Sequence, residues 1–241
     1  MNIKIILATS GLGDAEILFK SVYQLIDGNT PLIVEASGFD RDTLTAFPDT
    51  RTMQEATDLM FSNTQQLEEL CNKRQVTFVK RPYSYNDFIK RLISESRFAD
   101  MIICSFRALS AINERNYISF SNRAMIGQLE CPLLVVPENP AGLMPNDLFL
   151  YDRSADCIQA IKSFTYLFPH RCDGELLVYG NPLQSADNSR MNAWLSAHFH
   201  AVKWLEALPE NGRYNLVASA FGKSMLSEPM FIDHARYRLF A

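Results

Sequence analysis

Ile3-Lys-Ile-Ile-Leu-Ala8, followed at once by Thr9-Ser-Gly-Leu-Gly-Asp14, sets the pattern of the predicted fold. The first run is short and apolar, which is typical of a strand buried on both faces. Two glycines then mark a turn, and Asp14 can cap a helix that continues to about Ile26. Its apolar residues at helical spacing on one face are Ile17, Leu18, Val22 and Leu25. The sequence therefore predicts a strand, a turn and a helix that packs back against the strand.

The same alternation of strands and helices continues through the first half of the chain. The further predicted strands are Leu32–Ala36, Val76–Val79, Met101–Cys104 and Leu133–Val136. The further predicted helices run from Thr52 to Asn72 and from Ser84 onward. Strands that are apolar on both faces and separated by helices are typical of a parallel sheet covered on both sides. Right-handed crossovers then predict a doubly wound α/β layer.

The stretch Pro137–Pro145 is rich in proline and is interpreted as a linker, after which the pattern restarts. We therefore predict two domains, residues 1–139 and 140–241. The predicted strands of the second domain are Leu148–Tyr151, Glu175–Tyr179, Ala201–Leu205, Leu216–Ala218 and Pro229–Asp233. Its predicted helices are Ala155–Leu167 and Ser189–Ala197.

The restart has the character of an internal repeat. The corresponding stretches are Ile6–Gly11 and Phe149–Ser154, Ala99–Cys104 and Tyr214–Ser219, and Cys131–Pro137 and Glu228–Asp233. The second copy is shorter, because Leu205 and Asn215 lie too close for a crossover helix, which takes about a dozen residues. Either such connections are irregular loops or some strands pair antiparallel.

The composition excludes several classes of protein. The 241 residues include 23 Lys and Arg against 27 Asp and Glu, so the chain lacks the basic excess that nucleic-acid binding needs. No run approaches the roughly 18–20 consecutive apolar residues that span a bilayer. With 47% apolar residues, the chain is expected to be a soluble globular α/β protein with no nucleic-acid or membrane partner.

The five cysteines fit neither a disulfide framework nor a Cys-x-x-Cys motif. They are Cys71, Cys104, Cys131, Cys157 and Cys172. We interpret them as buried or incidental thiols in a reducing cytoplasm.

Short stretches in both halves carry a family resemblance. Those of the first half are Ala8–Gly11, Ala99–Ile103 and above all Cys131-Pro-Leu-Leu-Val-Val-Pro137. Those of the second half are Tyr151-Asp-Arg-Ser154, Ala160–Pro169, Phe221-Gly-Lys-Ser224 and Pro229–Ile232. Together they resemble the universal stress proteins, in the tandem form with two domains on one chain and the second domain abbreviated.

The resemblance implies two Rossmann-like, adenine nucleotide α-hydrolase-like domains, each with a five-stranded parallel sheet. It implies that the last strands pair across a dimer or pseudo-dimer interface. Nucleotide-binding members place an acidic residue at the end of the first strand and a G-x-x-G-(nine residues)-G-[S/T] motif after the fourth. The amides of that motif cradle the phosphates. The ligand to expect in a competent domain is ATP or AMP with Mg²⁺.

The first domain departs from this pattern. Ser10 stands at the acidic position, Ser105 and Ala108 replace the first two glycines, and Ile118-Ser119 replaces the distal pair. The bulky residues added there are Phe106, Arg107 and Leu109. We predict a degenerate site that does not bind ATP.

The turn with Ser10, Gly11 and Gly13 is the best anion candidate of the first half, since it follows a strand and precedes a helix. Glu16 stands where a third glycine would complete a dinucleotide fingerprint, and a Walker lysine is missing. A structural turn capped by Asp14 is the alternative.

The second domain keeps more of the pattern, with Asp152 at the acidic position, Ser154 just after it, and Gly222, Lys223 and Ser224 near the second glycine. The first glycine is replaced by Ser219 or Ala220, and the chain is too short for the distal pair. A partial anion pocket is one interpretation, with Lys223 as a point charge. The other is that Gly222 serves a tight turn and Lys223 is a solvated surface residue.

No metal or catalytic group is expected. His198 and His200 would share one face of a strand, but a third ligand is missing from the sequence nearby. Catalytic triads assemble in space, so the order of residues nominates none, and enzymatic activity stays open with a non-enzymatic role favoured.

Aromatic residues crowd the shortened second half: Trp194, Phe199, Trp204 and Tyr214. They pack in the core or, if the sheet lacks cover, mark a partner surface. The tail Tyr237–Phe240 could add to a neighbouring sheet edge.

The leading functional hypothesis is a regulatory or protein-interaction module of the stress response with little or no ATP binding. The alternative is a nucleotide-binding universal stress protein that uses the second domain, with slow ATP hydrolysis. An enzyme on a related layer would need a phosphate loop that the sequence lacks. The expected assembly is a pseudo-dimer through Leu133–Val136 and Met230–Asp233, with a homodimer and a protein partner as further expectations.

Overall fold

A computed structural model of the chain describes residues 3–8, 15–25, 32–39, 50–83, 85–105, 128–136, 146–180, 186–207, 214–219 and 235–240. By its internal contacts the chain divides into unit 1, Met1–Glu138, and unit 2, Asn139–Ala241.

Unit 1 alternates strands with helices. Its elements are β1 Ile3–Ala8, α1 Ala15–Leu25, β2 Leu32–Phe39, α2 Thr50–Lys73, β3 Thr77–Tyr83, α3 Tyr85–Ser96, β4 Met101–Ser105 and β5 Leu133–Val136. The strands lie in the order β3-β2-β1-β4-β5, and every ladder between them is parallel. This confirms the predicted parallel α/β fold, with element ends displaced by a few residues.

The core of unit 1 follows from the uninterrupted apolar character of its central strands. Ile5 and Leu7 of β1 and Ile102 and Ile103 of β4 are fully buried. Leu18 lies on the buried face of α1. Residues on both faces of β1 and β4 are therefore buried, and α1 packs against β4.

Unit 2 repeats this succession with fewer helices described. Its elements are β6 Asp147–Tyr151, α4 Ala155–Leu167, β7 Glu175–Gly180, α5 Ala186–His198, β8 Ala201–Leu205, β9 Tyr214–Ser219 and β10 Ala235–Phe240. The strand order is β8-β7-β6-β9-β10, which matches the order in unit 1. All four ladders are parallel, so the alternative of antiparallel pairing is wrong.

The last strand of unit 2 differs from the prediction. The strand that pairs with β9 is β10, with Tyr237 beside Leu216 and Leu239 beside Ala218. The predicted strand Pro229–Asp233 lies outside the described residues. The true partner was overlooked because Ala235–Phe240 alternates basic and apolar residues, whereas buried parallel strands are normally apolar throughout. The tail residues Tyr237–Phe240, which were suggested to add to a neighbouring edge, belong to this strand of unit 2's own sheet.

The connection from β8 to β9 is short. Eight residues, 206–213, join the two strands, although β7 and β6 lie between them in the sheet. A crossover that includes a helix needs about a dozen residues. Among the described elements of unit 2, none corresponds to α3.

The buried face of α4 fills the core of unit 2 with Cys157, Ala160, Ile161, Ser163, Phe164 and Leu167. A short 3-10 helix, Pro169–Arg171, follows it. Arg171 donates two hydrogen bonds to the nearly buried Asp147 carboxylate, at 2.7 and 2.8 Å. This bidentate pair ties the end of the helical segment to the start of β6. No helix in the described part of the chain is long and apolar enough to cross a membrane.

Candidate functional site

The topology of each unit defines one place where a ligand is expected. In unit 2 the chain runs from β6 toward β8 on one side and returns to β9 on the other side of β6. In open parallel sheets, ligands bind outside the carboxyl ends of the two strands that flank such a reversal. The segments that follow β6 and β9 are therefore the candidate site of unit 2, as those after β1 and β4 are in unit 1.

The candidate residues of unit 1 lie almost entirely outside the described residues. Ser10, Gly11 and Gly13 follow β1, and Ala108, Ile118 and Ser119 follow β4. Ser105 is the last residue of β4, paired in register with Val136. The degenerate site of unit 1 therefore stays a prediction from its sequence.

The turn after β6 is described, and it is closed by its own side chains. The Oδ1 atom of Asp152 accepts hydrogen bonds from the backbone N–H of Ser154 at 2.8 Å and from its hydroxyl at 2.6 Å. Arg153, between them, has a φ of 70°. The left-handed conformation of Arg153 thus lets the chain double back so that a carboxylate meets the start of α4.

Ser154 is the N-cap of α4. Its hydroxyl oxygen accepts from the N–H of Cys157 at 3.0 Å, and its carbonyl accepts from the N–H of Ile158 at 3.2 Å. Asp156 adds a second carboxylate in the first turn. Carboxylates are stabilised at the positive end of a helix, where a phosphate would otherwise bind. Asp152 and Asp156 together therefore make this helix start unfavourable for a phosphate.

The thiol of Cys157 lies beneath the turn. Burial raises its pKa to about 12, and its S–H donates to the carbonyl oxygen of Leu150 at 3.1 Å. A thiol of this kind stays protonated near neutral pH and is not a nucleophile.

The other candidate residues of unit 2 are Gly222, Lys223 and Ser224, and they lie outside the described residues. β9 ends at Ser219, so the chain order starts this segment at the same sheet edge as Asp152. Their predicted role in holding an anion stays a prediction.

An aromatic contact lies near the carboxyl end of the sheet, where Tyr151 is paired with Gly180. The rings of Tyr151 and Trp204 meet edge-on with centroids 6.0 Å apart, and the Trp204 indole N–H donates to Asn192 of α5 at 3.0 Å. A side chain at Gly180 would collide with the backbone of Tyr151. The sequence analysis missed Gly180; a glycine that ends an apolar strand was the available signal.

The aromatic residues of unit 2 pack against described neighbours. Trp204 meets Tyr151 and Asn192, and Phe199 is buried beside Phe164 at a centroid distance of 5.8 Å. Phe199 therefore follows the core interpretation, whereas Trp204 is half-buried and its role as core or partner surface stays open. The side chain of Tyr214 is outside the described part.

His198 and His200 do not lie on one strand, so the condition under which they would share a face is not met. His198 is the last residue of α5, where it stacks on Trp194 at a centroid distance of 4.0 Å, and His200 precedes β8. The helix continued farther than predicted because His198 caps its carboxyl end, with Nδ1 2.8 Å from the Trp194 carbonyl oxygen. Across the described ranges, no three His, Cys, Asp or Glu side chains gather as a metal site.

Comparisons with known proteins agree with this fold. Neither a family model nor a curated protein matches the chain. Among solved structures, a universal stress protein from Archaeoglobus fulgidus DSM 4304 is similar with a TM-score of 0.54 and 11% identity, over 83% of this chain and 77% of that one. An N-acetylneuraminic acid (sialic acid) synthetase from Leptospira borgpetersenii serovar Hardjo-bovis, in complex with citrate, matches with 13% identity over 89% of this chain and 65% of that chain. Its TM-score of 0.22 is too low to support an argument. The chain therefore has the Rossmann-like parallel α/β fold of a universal stress protein.

Proposed function

We propose that this chain is a tandem universal-stress-like protein that acts as a regulatory or protein-interaction module and binds nucleotides weakly or not at all. The two domains of the proposal are residues 1–139 and 140–241. The same strand order in the two units supports a duplication. The likeness to a universal stress protein supports the family.

The observation that carries the proposal is the closed turn at Asp152. The backbone N–H and the hydroxyl of Ser154 both donate to Oδ1 of this carboxylate. An acidic residue that serves a bound ribose would need its oxygens directed to the ligand. Here one oxygen is committed to the start of α4, and Asp156 repels a phosphate at the same place.

The glycine pattern supports the same conclusion for the first domain. Ser105 and Ala108 stand where the phosphate-binding motif needs glycines, and Phe106 and Arg107 add side chains there. Glycines in such motifs let the backbone approach an anion closely, so their loss removes the cradle.

The alternative function is nucleotide binding by the second domain, with ATP or AMP and Mg²⁺ as ligands and slow hydrolysis as the activity. The observation in its favour is the position of Asp152 and Ser154, directly after β6 at the point where the strand order reverses. Gly222, Lys223 and Ser224 would then supply the anion contacts.

A thermal-shift experiment on the full chain separates the two functions. A ligand present at 100 times its Kd stabilises a protein by about 2.7 kcal/mol. For a chain of this size each kcal/mol raises the Tm by about 2–4 °C. We expect shifts below about 1 °C with millimolar ATP, ADP or AMP, with and without Mg²⁺.

A clear stabilising shift would contradict the proposed function. In that case Asp152→Ala and Lys223→Ala should each abolish the shift if the second domain binds. The matched control is Asp173→Ala, which removes an exposed carboxylate outside the site.

Assembly and location are further parts of the proposal. The pairing of the last strands stays a prediction, and in unit 2 the last strand is now β10. Homodimerisation and a protein partner also stay predictions, which light scattering on the purified chain addresses. All five cysteines are free thiols, which supports a reducing cytoplasm as the compartment.

A further inference from the structure

The outer edge of the sheet of unit 1, at β3, is rich in basic residues. Between residues 73 and 91 the sequence holds six basic side chains and a single acidic one, in a chain whose net charge is −4. The six are Lys73, Arg74, Lys80, Arg81, Lys90 and Arg91. The net charge of the chain does not reveal this basic segment, because acidic residues elsewhere outnumber the basic ones.

Three elements contribute the residues to this edge of the sheet. Lys73 is the last residue of α2, and Arg74 lies in the turn that leads into β3. Lys80 lies in β3, and Lys90 and Arg91 lie on α3. Both helices pack against β2 and β3. All five of these side chains are exposed, and Arg74 also lies over the ring of Tyr23, 5.1 Å from its centroid.

The strand in this region is at the edge of the sheet. Among the described strands of unit 1, β3 pairs with β2 alone. An edge strand presents unpaired backbone N–H and C=O groups on its open side. Pro82 lies near the end of β3 and has no N–H, so an added strand would have to pair along Thr77–Arg81.

We propose that this basic edge, formed by β3 with the cations of α2 and α3, binds an extended acidic segment of a partner protein. The segment would add a strand to β3 through backbone hydrogen bonds, while its carboxylates pair with the flanking lysine and arginine side chains. The inference rests on the interaction role proposed above and gives the partner its chemistry.

A nucleic acid is the less favourable occupant of the basic edge. Seven residues of β3 span about 23 Å, and beyond that length a polyanion would meet a chain whose remaining charge is negative. A short acidic peptide stays within the basic region. Strand pairing also uses the peptide N–H groups, which a nucleic acid lacks.

The test measures binding of a fluorescein-labelled peptide of alternating Glu and Thr to the full chain by fluorescence anisotropy. We expect binding at low salt that weakens about tenfold between about 50 and 300 mM NaCl, because exposed charges are screened. A peptide of alternating Glu and Pro has the same charge but cannot pair as a strand, so its affinity should be about tenfold lower.

The double variant Lys73→Glu, Lys90→Glu should reduce the affinity for the Glu-Thr peptide at least about tenfold. The double variant Lys162→Glu, Lys203→Glu is the matched control, since both are exposed cations of unit 2 and the net charge changes equally; its affinity should equal that of the original chain. Circular dichroism confirms that each variant is folded.

Several outcomes would overturn the inference: no binding of the Glu-Thr peptide at low salt, equal affinity for the two peptides, or an equal loss in the variant Lys162→Glu, Lys203→Glu. Tighter binding of a single-stranded DNA of equal charge would assign the edge to nucleic acid instead. None of these results moves the nucleotide thermal shift, so the inference and the proposed function fail separately.

Discussion

A methyl group added at Gly180 would meet the backbone carbonyl of Tyr151 and lie 3.1 Å from its Cβ. Gly180→Ala should therefore force β6 and β7 apart and destabilise the protein by about 1–3 kcal/mol. Gly174→Ala is the control, because its added carbon lies at an ordinary 3.4 Å from the Arg171 carbonyl oxygen. Urea unfolding of both variants measures the difference, and equal midpoints would show that the contact at Gly180 relaxes freely.

For single residues at the candidate site, the position in the chain of strands and helices could be predicted, but the hydrogen bonds and backbone conformation could not. Asp152 was assigned to the end of a strand and Ser154 to the start of a helix, because an apolar run ends there. The hydrogen bonds from Ser154 to Asp152 depend on the left-handed φ of Arg153. Arginine rarely adopts such a φ, so an arginine at this position of the sequence gives no indication of the turn.

At the scale of elements, the pair Asp147 and Arg171 holds the helical segment after α4 to β6. The Asp147 side chain is 6% exposed and the Arg171 side chain 19%. Arg171→Ala should destabilise the protein by about 3–5 kcal/mol, because a buried carboxylate loses two charged hydrogen bonds. The exposed pair of Arg97 and Glu130 is the control, where Arg97→Ala should cost about 0–1 kcal/mol. Equal losses in urea unfolding would contradict the assigned role.

The last strand of unit 2 allows a second test of an element. β10 lies parallel to β9, so alternate amides of residues 235–240 should be protected from hydrogen exchange. Mass spectrometry of exchange on the native chain measures this. Exchange of all six amides at the rate of an unstructured peptide would contradict the pairing.

Elements were predictable where local sequence and burial agree. β1, β5 and β6 are buried along their length, and their apolar runs were visible in the sequence. β10 was missed because Arg236 and Arg238 interrupt its apolar pattern. The end of α5 was also missed, since the histidines beyond Ala197 offered no helical signal of their own.

For the whole molecule, buried thiols connect stability to alkaline pH. Burial raises the pKa of Cys71, Cys131 and Cys157 to about 12 and that of Cys172 to about 11. When a thiol has a higher pKa in the folded state than in the unfolded state, its contribution to stability is fully present at a pH below the pKa of the unfolded state, about 9. That stabilisation is lost as the pH rises from there toward about 12.

The free energy of unfolding should therefore fall between pH 9 and 12, as measured by urea titration. Cys157→Ser should show a shallower fall, because serine does not ionise in this range, although its stability at pH 7 is lower. An identical slope in the variant would contradict the contribution of Cys157.

The short link between β8 and β9 also bears on how unit 2 comes apart. The link leaves the carboxyl end of β8 and enters the amino end of the parallel β9, so it crosses three strand spacings, about 14 Å, and also returns about 17 Å along the sheet. The direct distance is about 22 Å, and eight residues reach at most about 30 Å. The link thus connects the outer strand β8 to β9, near the centre of the sheet, with little spare length. A force that separates β8 from β7 would therefore also act on β9 and on β6, with which β9 pairs. We therefore expect unit 2 to unfold cooperatively, without prior loss of its edge strand β8.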